Sequence, residues 1–589
     1  MTLRTDIFIA LLFVPFVAIQ AAETPKVYSK PNILLILADD MGWGDLRCHG
    51  NDKIDTPSLD KLQSQSVELD RFFVSPLCSP TRSSLLTGRH HLRLGVLSTT
   101  GGLEVIRGEE VTIAEGLHSA GYSTGCFGKW HNGSNHPSTA RGQGFNEFFG
   151  FSGGFFSNYF DPELEHDGVT AIRKGFITDV IADKAIDFIE RNQSHPFFCY
   201  VPFNACHSPM QAPEGLFTKY RNHGFEPKEA AVYAMVENLD TNVGRLLAKL
   251  DATGLARNNI VLFASDNGPN TVRFNGGMRG IKGNIFEGGI RVPCFIRWPG
   301  KLEAGKIIQH IAQHVDLFPT LLDLVDVPLP MSRPLDGISL APLLRGTIDA
   351  WPDRKLFDLS GRSGNDGATI AKFPGTVRTP THRWVHDGKQ VFLFDHRNDP
   401  GETQNIATQQ LELEVELAKA YENWFRDATA SSDGLIQHFP ITLTENTALL
   451  VSSAAFQGNA RSFGKGWDND WAIGFDGPGD SISWNLDLPQ AVTYEVSILH
   501  TAKKAGGSIE VRVGSNRIRS EVSKVYDPPE IPRPDLVTRW EVPDKIFQPL
   551  TIGPISIPNG RHEFKLTASP GVEIQAVRLT RSDSKKDSK

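Results

Sequence analysis

A cysteine and an arginine four residues apart flank a proline in the segment Cys78-Ser79-Pro80-Thr81-Arg82. The residues after it predict a short helix, because the apolar pair Leu85-Leu86 is followed by the stop signal Gly88. A helix that begins beside Cys78 directs free backbone N–H groups and the positive end of its dipole at an anion. Arg82, about one turn further on, can hold carboxylates or a reactive oxygen through a fork of hydrogen bonds. The segment predicts a reactive anion site; the structural alternative is a buried cysteine before a proline that starts a helix.

Acidic and amide side chains follow two apolar runs, residues 32–37 and 259–264, which predict strands buried on both faces of a parallel sheet. Open α/β sheets bind ligands at the carboxyl ends of their strands, and adjacent carboxylates repel each other unless a cation lies there. A single Asp-Asp pair is more often a loop cap, but two such clusters favour a metal site. An all-oxygen set suits Ca²⁺ first and Mg²⁺ second. The predicted ligands are Asp39, Asp40, Asp266 and Asn267.

Three further segments carry a lysine or a histidine: Gly-Lys-Trp-His at 128–131, Asn-Ala-Cys-His-Ser-Pro at 204–209 and Gly-Ile-Lys-Gly at 280–283. Taken singly, each basic residue would be a solvated surface group or a satisfied core residue. Together with the cysteine segment and the carboxylate clusters, they resemble the sequence blocks of type I sulfatases, the formylglycine-dependent, arylsulfatase-like enzymes of the alkaline phosphatase superfamily. The resemblance runs from about residue 31 to about residue 427.

This resemblance implies that Cys78 is oxidised to formylglycine by a formylglycine-generating enzyme. The hydrate of that aldehyde carries two hydroxyls on one carbon: one attacks the sulfur of a sulfate ester, and the other loses its proton and expels sulfate. The family also implies that residue 78 joins the four oxygen-bearing side chains as a ligand of the Ca²⁺ or Mg²⁺ ion. The expected function is hydrolysis of sulfate monoesters, with a sulfated sugar or polysaccharide as the substrate.

The resemblance assigns roles to the basic side chains as well. Lys129 would bind the hydrate and the sulfate, and His131 would take the proton that lets sulfate leave. His207 and Lys282 would neutralise the ester oxygen and a sulfate oxygen as charge builds on the leaving group. Cys206 stands where the family often has proline. The expected catalytic set is Cys78, Arg82, Lys129, His131, His207 and Lys282.

A chain of 589 residues is too long for one ordinary hydrophobic core, so we expect more than one domain. Before residue 405, strand-like runs alternate with helical patterns, including 178–191 and 229–250. They predict an α/β fold with a mixed or parallel sheet flanked by helices, which is alkaline-phosphatase-like if the resemblance holds. We place the sulfatase domain at 30–430, with a smaller C-terminal subdomain at about 340–430 that ends in a helix over 411–428.

Beyond a linker at 428–434, short alternating segments separated by Gly, Pro, Asn and Asp predict an all-β sandwich at 440–581. This sandwich resembles galactose-binding and carbohydrate-binding modules. Its two neighbouring aromatic residues, Trp467 and Trp471, could stack on sugar rings or belong to the core, and core is the commoner role. The module would then hold a polymer near the cleft or brace the catalytic domain. We expect residues 582–589 to be a disordered tail.

Residues 1–22 have the pattern of a signal peptide, with Arg4 before an apolar stretch and small residues at its end. We therefore expect a secreted or periplasmic protein, and no later segment reaches transmembrane length. The net charge of −8 gives no long-range attraction for sulfated polymers, so any positive field must be local. Long basic runs and zinc-type Cys/His spacing are absent from the sequence, which argues against nucleic acid as a partner.

Two alternative functions stay open at this point. A cation-lined site with one divalent metal could also act on phosphonate or phosphate esters, within the same superfamily. The chain could instead be a glycan-binding protein whose sulfatase domain is never matured, although a pure binder would not need the full catalytic set. The sequence leaves the sugar, the sulfated carbon and the mode of attack along a polymer undetermined.

Overall fold

The computed structural model describes residues 30–330, 333–348, 351–361, 364, 368–444, 446–538 and 541–582. The predicted signal peptide lies outside the described residues, as does the predicted tail after Ser582. Among the residues described, there is no helix with the length and apolar character needed to cross a membrane.

The strands of the first part of the chain are β1 (Asn32–Ala38), β2 (Val67–Leu69), β3 (Phe72–Phe73), β4 (Ser123–Lys129), β5 (Glu147–Phe151), β6 (Glu163–His166), β7 (Val169–Ile172), β8 (Phe197–Pro202), β9 (Asn259–Ser265), β10 (Cys294–Arg297), β11 (Ile307–Ile308), β12 (Ala312–Gln313), β13 (Leu356–Leu359), β14 (Gly375–Arg378), β15 (His382–His386) and β16 (Val391–Asp395). The helices are α1 (Pro57–Ser64), α2 (Cys78–Thr87), α3 (His91–Leu94), α4 (Ile113–Ser119), α5 (Ile177–Arg191), α6 (Glu214–Asn222), α7 (Pro227–Ala252), α8 (Glu287–Ile290), α9 (Leu317–Leu324), α10 (Ala341–Arg345) and α11 (Leu411–Ala428).

Within the described residues, the largest sheet has ten strands in the order β11-β2-β10-β9-β1-β8-β4-β5-β6-β7. Its central strands are parallel to one another. Strand β1 pairs in parallel with both β8 and β9, and β4 pairs in parallel with β8. Antiparallel pairs lie on both sides of this centre, between β10 and β9 and between β6 and β5, and the edge strand β11 is again parallel to β2. The predicted mixed sheet with flanking helices is thereby confirmed.

Strand β1 shows why helices cover both faces of this sheet. Its seven residues are all buried, since apolar side chains alternate between the two faces. Leu34 and Ile36 lie in one core with side chains of α5 and α7, whereas Ile33 and Leu35 lie in a second core with α2, α4 and α9. Both faces are therefore filled by packing, and the carboxyl ends of the parallel strands are left to carry polar residues.

A smaller antiparallel sheet, in the order β13-β14-β15-β16, is covered by α11. Leu417 and Tyr421 of this helix share a core with Val377 of β14 and Trp384 of β15. The helix has the bounds predicted from its periodicity, whereas α7 begins at Pro227, before the predicted Glu229, because proline fits the first turn of a helix.

The C-terminal part is all β, as predicted. Its strands are β17 (Ile441–Thr442), β18 (Asn446–Leu450), β19 (Ala455–Gln457), β20 (Arg461–Phe463), β21 (Trp471–Ile473), β22 (Ser481–Leu488), β23 (Val492–Ala502), β24 (Gly507–Val513), β25 (Asn516–Val522), β26 (Gln548–Ile557), β27 (Gly560–Ala568) and β28 (Val572–Arg581). The residues described there form two sheets, β17-β22-β27-β24-β25 with β19 beside β22, and β20-β21-β28-β23-β26 with β18 beside β28. One core joins them, with Trp484 from the first sheet and Val577 from the second. We call residues 441–581 the C-terminal β region, and the domain boundaries given above stay predictions.

Candidate active site

The predicted site residues meet at the carboxyl ends of the central parallel strands. β1 and β9 are in register to their last residues, so Asp39 and Asp266 leave neighbouring strands at the same level. Lys129 is the last residue of β4, and His207 follows β8 through a short loop. The amino end of α2, with Cys78 as its first residue, faces the same edge, because the Cys78 Sγ lies 3.6 Å from Asp39 Oδ1.

Arg82 ties the first turn of α2 to the strand ends. Its Nε and Nη2 both donate to Asp266 Oδ2, at 3.0 and 2.7 Å, and its Nη1 donates to the carbonyl oxygen of Lys129 at 2.9 Å. Arg82 and Asp266 are fully buried, so the pair is shielded from water and held rigidly. The predicted fork-like contact with a carboxylate is present, and it fixes α2 against β4 and β9.

The acidic cluster has the features that a divalent cation with oxygen ligands requires. Asn267 Nδ2 donates to Asp40 Oδ1 at 2.8 Å, while Asn267 Oδ1 is buried without a hydrogen-bond partner among the described residues. Burial and the nearby Asp39 raise the pKa of Asp266 to about 7, because two buried carboxylates repel each other when both are charged. Crowded carboxylates beside an unused buried oxygen fit a hard cation such as Ca²⁺ or Mg²⁺.

Two lysines each contact one carboxylate of this cluster. Lys129 Nζ lies 2.6 Å from Asp39 Oδ2, and Lys282 Nζ lies 2.6 Å from Asp40 Oδ1. Burial would raise the pKa of Asp39, but Lys129, His207 and Arg82 together hold it below its ordinary value. The site therefore combines buried negative charge with several cations.

Cys78 is buried among these groups, with 1% of its surface exposed. Burial raises the pKa of its thiol to about 12, although Lys129 and Lys282 act in the opposite direction. At neutral pH the sulfur is therefore a thiol rather than a thiolate, and a thiol is a weak nucleophile. The unmodified side chain is poorly suited to attack an ester in this environment.

His131 is placed to accept a proton. Its Nε2 lies 2.9 Å from the carbonyl oxygen of Thr99, which can only accept, so Nε2 carries the hydrogen. Its Nδ1 is buried and has no hydrogen-bond partner among the residues described. Burial, with Lys129 nearby, lowers the pKa of His131 well below its ordinary value. The neutral ring keeps an unused lone pair on Nδ1.

His207 has the opposite tautomer. Its Nδ1 lies 2.7 Å from the carbonyl oxygen of Ser208 and donates to it, so Nε2 carries the lone pair. The Nε2 atom lies 3.8 Å from Asp40 Oδ2. Burial, together with Lys282 and Lys129, lowers the pKa of His207 to about 4. Both imidazoles are therefore neutral at pH 7 before a ligand binds.

Two of these residues have an uncommon backbone conformation. Asp40 has φ = 63° and His131 has φ = 55°, both in the left-handed region that residues other than glycine rarely adopt. Such strain is concentrated at functional sites, where the surrounding structure enforces it. Asp40 and His131 therefore combine an uncommon backbone conformation with a position just after a strand end.

A cavity of about 230 Å³ opens beside this cluster. Four of the six predicted catalytic residues line it, namely Cys78, His131, His207 and Lys282, whereas Arg82 and Lys129 lie behind the carboxylates and are not among its lining residues. Its walls also include residues that the sequence did not suggest as site residues: Thr99, Thr100, Gly154, Phe155, Met210, Lys228, Asn270 and Asp468. The adjacent glycines 153 and 154 were the feature of the sequence that could have indicated this part of the wall. A side chain at position 154 would collide with the histidine, since its Cβ would lie 2.2 Å from His131 Nε2.

Comparison with known families identifies the class of protein. The sulfatase family model matches residues 31–327, and the model for the C-terminal part of N-sulphoglucosamine sulphohydrolase matches residues 281–424. The first match alone spans half of the chain, and the chain belongs to the sulfatase family. The protein is therefore a sulfuric ester hydrolase.

Individual relatives agree with this placement. N-acetylgalactosamine-6-sulfatase of Sus scrofa is 32% identical in an alignment of 421 positions that covers 65% of this chain and 78% of the relative. Arylsulfatase A of Homo sapiens is 35% identical in an alignment of 443 positions that covers 64% of this chain and 83% of the relative. The solved structure of Ps i-CgsB in complex with k-i-k-neocarrahexaose superimposes with a TM-score of 0.63 at 28% identity, covering 69% of this chain and 94% of its own. The resemblance suggested by the sequence motifs is confirmed.

Proposed function

We propose that the protein removes sulfate from a sulfated carbohydrate, using a formylglycine made from Cys78 and a divalent metal ion. The observation that carries the proposal is the burial of Cys78 at the start of α2, against Asp39 and beside the Lys129 and Lys282 ammonium groups. A thiol with a pKa raised to about 12 has little use there as a nucleophile, whereas an oxygen nucleophile in the same place would be surrounded by cations.

Two groups would supply chemistry that the side chains lack. Oxidised and hydrated, residue 78 would carry two hydroxyls on one carbon, one to attack sulfur and one whose deprotonation releases sulfate. The metal would be held by Asp39, Asp40, Asp266, Asn267 and residue 78, and would act as a Lewis acid on a sulfate oxygen.

The remaining residues would bind and orient the ester. Lys129 lies against Asp39 and Lys282 against Asp40, and both would hold sulfate oxygens by charge-assisted hydrogen bonds. His131 would accept a proton at Nδ1, the nitrogen that has its lone pair unused. His207 would take up a proton on Nε2 when the anionic ester binds, and this N–H would stabilise the charge that develops on the ester oxygen, while Arg82 holds α2 and β9 in position.

A carbohydrate is the substrate class that the relatives and the cavity favour. The relatives include an N-acetylgalactosamine-6-sulfatase, and a solved structure of similar fold holds a neocarrahexaose. The cavity of about 230 Å³ is smaller than the range of about 300–1,000 Å³ that is common for ligand pockets. It suits one sugar ring with its sulfate, with any further units outside.

Mass spectrometry of the peptide that contains Cys78 tests the proposal. In an active preparation, made together with a formylglycine-generating enzyme, residue 78 should have lost sulfur and gained an aldehyde. Cys78→Ala should fold normally and have no turnover. A fully active sample with only unmodified cysteine would exclude this nucleophile, and unmodified cysteine in an inactive native sample would favour a glycan-binding role.

Substrate class is tested with a panel of sulfated oligosaccharides of defined position, run beside an aryl sulfate and an aryl phosphonate. We expect the sulfates to be hydrolysed faster than the phosphonate. Faster turnover of the phosphonate would assign the site to phosphonate esters instead.

Export is also part of the proposal. We infer from residues 1–22 that the protein is secreted or periplasmic after cleavage of a signal peptide. The mature protein, recovered from the periplasm or the medium, should begin close to Ala22. A protein that keeps its first residues in the cytoplasm would contradict this inference.

A further inference from the structure

The C-terminal β region reaches into the cleft through one loop, residues 464–470, which joins β20 to β21. The ring of Trp467 packs on Phe155, with 4.3 Å between the ring centroids, and lies 6.1 Å from the ring of His207. Trp467 and Asp468 line the same cavity as Cys78, His131 and His207. Both regions of the molecule therefore contribute side chains to the wall of this cavity.

Residues 153–155, Gly-Gly-Phe, form one part of the contact between the two regions, and another part is the hydrogen bond that Ser157 Oγ donates to Asp544 Oδ2. A Cβ on Gly153 would lie 1.9 Å from Asp468 Oδ2, and a Cβ on Gly154 would lie 2.2 Å from His131 Nε2. The ring of the next residue, Phe155, packs against the ring of Trp467. One short segment thus holds a catalytic histidine on one side and the loop of the C-terminal β region on the other.

The loop is held rigidly by Asp470. Its Oδ2 accepts hydrogen bonds from the backbone N–H of Gly466 at 2.6 Å and of Trp467 at 3.0 Å, and from Ser462 Oγ at 3.2 Å. Asp470 N in turn donates to the carbonyl oxygen of Trp467 at 2.9 Å. Asp468 accepts from Ser452 Oγ at 2.8 Å. A loop tied at so many points can present an aromatic ring in one fixed orientation.

We propose that Trp467, supported by Phe155, binds the face of the sugar ring whose sulfate is cleaved. This inference rests on the proposed function, in which His207 faces the ester oxygen. That oxygen is bonded to the sugar, so the ring must lie next to His207, and Trp467 is the flat apolar surface found there. The C–H bonds of a pyranose face pack well on an aromatic ring, which offers area and orientation without charge.

The alternative is that Trp467 only seals the joint between the regions. Trp471 shows what such a role looks like: it is 3% exposed and packs between Phe463 and Phe547, with ring centroids 4.6 and 5.5 Å away. Trp467, in contrast, is half-buried and lines the cavity. The neighbouring tryptophan is therefore a matched control.

The experiment compares Trp467→Ala, Trp467→Leu, Trp467→Phe and Trp471→Phe in the mature enzyme. The substrate is the sugar sulfate that the wild type hydrolyses best, and the second ligand is inorganic sulfate, which has no ring and is measured as a competitive inhibitor. We expect Trp467→Ala and Trp467→Leu to raise KM for the sugar sulfate about tenfold, as the loss of one aromatic stack requires, with the Ki of sulfate unchanged.

The controls separate recognition from stability. Trp467→Phe keeps a ring and should recover most of the affinity, whereas Trp471→Phe should lower the melting temperature and leave KM unchanged. An unchanged KM for the sugar sulfate in Trp467→Leu, or a parallel rise in the Ki of sulfate, would overturn the proposal. Failure of the proposed function is distinct, because the wild type itself would then turn over no sulfate ester.

Discussion

The α/β region and the C-terminal β region contribute to one cleft in different ways. The first supplies buried charges that are fixed by short contacts, such as Arg82 on Asp266 and Lys129 on Asp39. The second supplies an aromatic side chain at the rim, on a loop held by hydrogen bonds. Chemistry on a sulfate needs fixed buried charge, whereas recognition of the attached sugar needs only a shaped surface. Changes in the first region should therefore affect every sulfate ester, and changes in the second only esters that carry a ring.

The largest effect is expected from the proposed metal site. Asp39→Ala removes a carboxylate ligand and leaves Lys129 without its partner, so kcat on aryl and sugar sulfates alike should fall by at least about 10²-fold. Metal content per protein, measured after dialysis against set Ca²⁺ concentrations, should fall in parallel. Asn267→Ala removes a ligand oxygen without unpairing a charge and should lower metal affinity by about 10–10².

Exposed Asp52→Ala is the control and should behave as the wild type. Chelation should abolish turnover, and returning Ca²⁺ or Mg²⁺ should restore it. Full activity in a sample shown to be free of metal would remove the ion from the mechanism.

The second prediction tests whether His207 serves the leaving group. A sugar alkoxide is a poor leaving group and a nitrophenolate is a good one, so His207→Ala should reduce kcat about 10²-fold more for the sugar sulfate. The ratio of the two kcat values is the measurement. Equal losses on both substrates would reassign His207 to sulfate or metal binding, and Lys228→Ala, a change of another cavity residue, should leave the ratio unchanged.

Two adjacent glycines give the sharpest contrast between the regions. Gly154→Ala places a methyl group against His131 and should lower kcat on all sulfates, by as much as about 10²-fold if the ring moves by about 1 Å. Gly153→Ala places the same methyl group against Asp468 and should raise KM about tenfold for the sugar sulfate only. Steady-state kinetics on both substrates, with the Ki of inorganic sulfate, distinguish the two. The same kinetic pattern in both variants would mean that the segment acts as one structural unit.

The positions of the candidate site residues at the strand ends could be predicted because their signals are local. A strand that is apolar on both faces and then ends in two acids predicts both its place in the sheet and the position of the acids, as in β1 with Asp39 and Asp40. The helix over 411–428 was equally clear from its periodicity. In such segments, a pattern of neighbouring residues is enough to predict both the element and the place where it ends.

Contacts between distant segments leave no such pattern. From the sequence alone, Trp467 and Trp471 are equivalent, yet the first lines the cavity and the second lies in the core. The tautomer of His131 depends on a backbone carbonyl, that of Thr99, and no side chain at that position reveals it. The position of Trp467 depends on how the C-terminal β region docks against Phe155, and that docking is a property of two surfaces rather than of either segment.

The smallest expected effect is on stability where the two regions meet. Glu104 lies beside Asp468, and its Oε2 is buried without a hydrogen-bond partner among the described residues. Burial and Asp468 raise the pKa of Glu104 from 4.5 to about 7, so the folded protein holds a proton that the unfolded chain releases near pH 4.5. The stability that this proton provides is complete below about pH 4.5 and is lost as the pH rises to about 7. Glu104→Gln stays neutral, so its melting temperature should equal that of the wild type at pH 4.5 and exceed it by about 2–4 °C at pH 8. A constant difference between Glu104→Gln and the wild type across this range would show that the carboxyl group does not titrate at the junction.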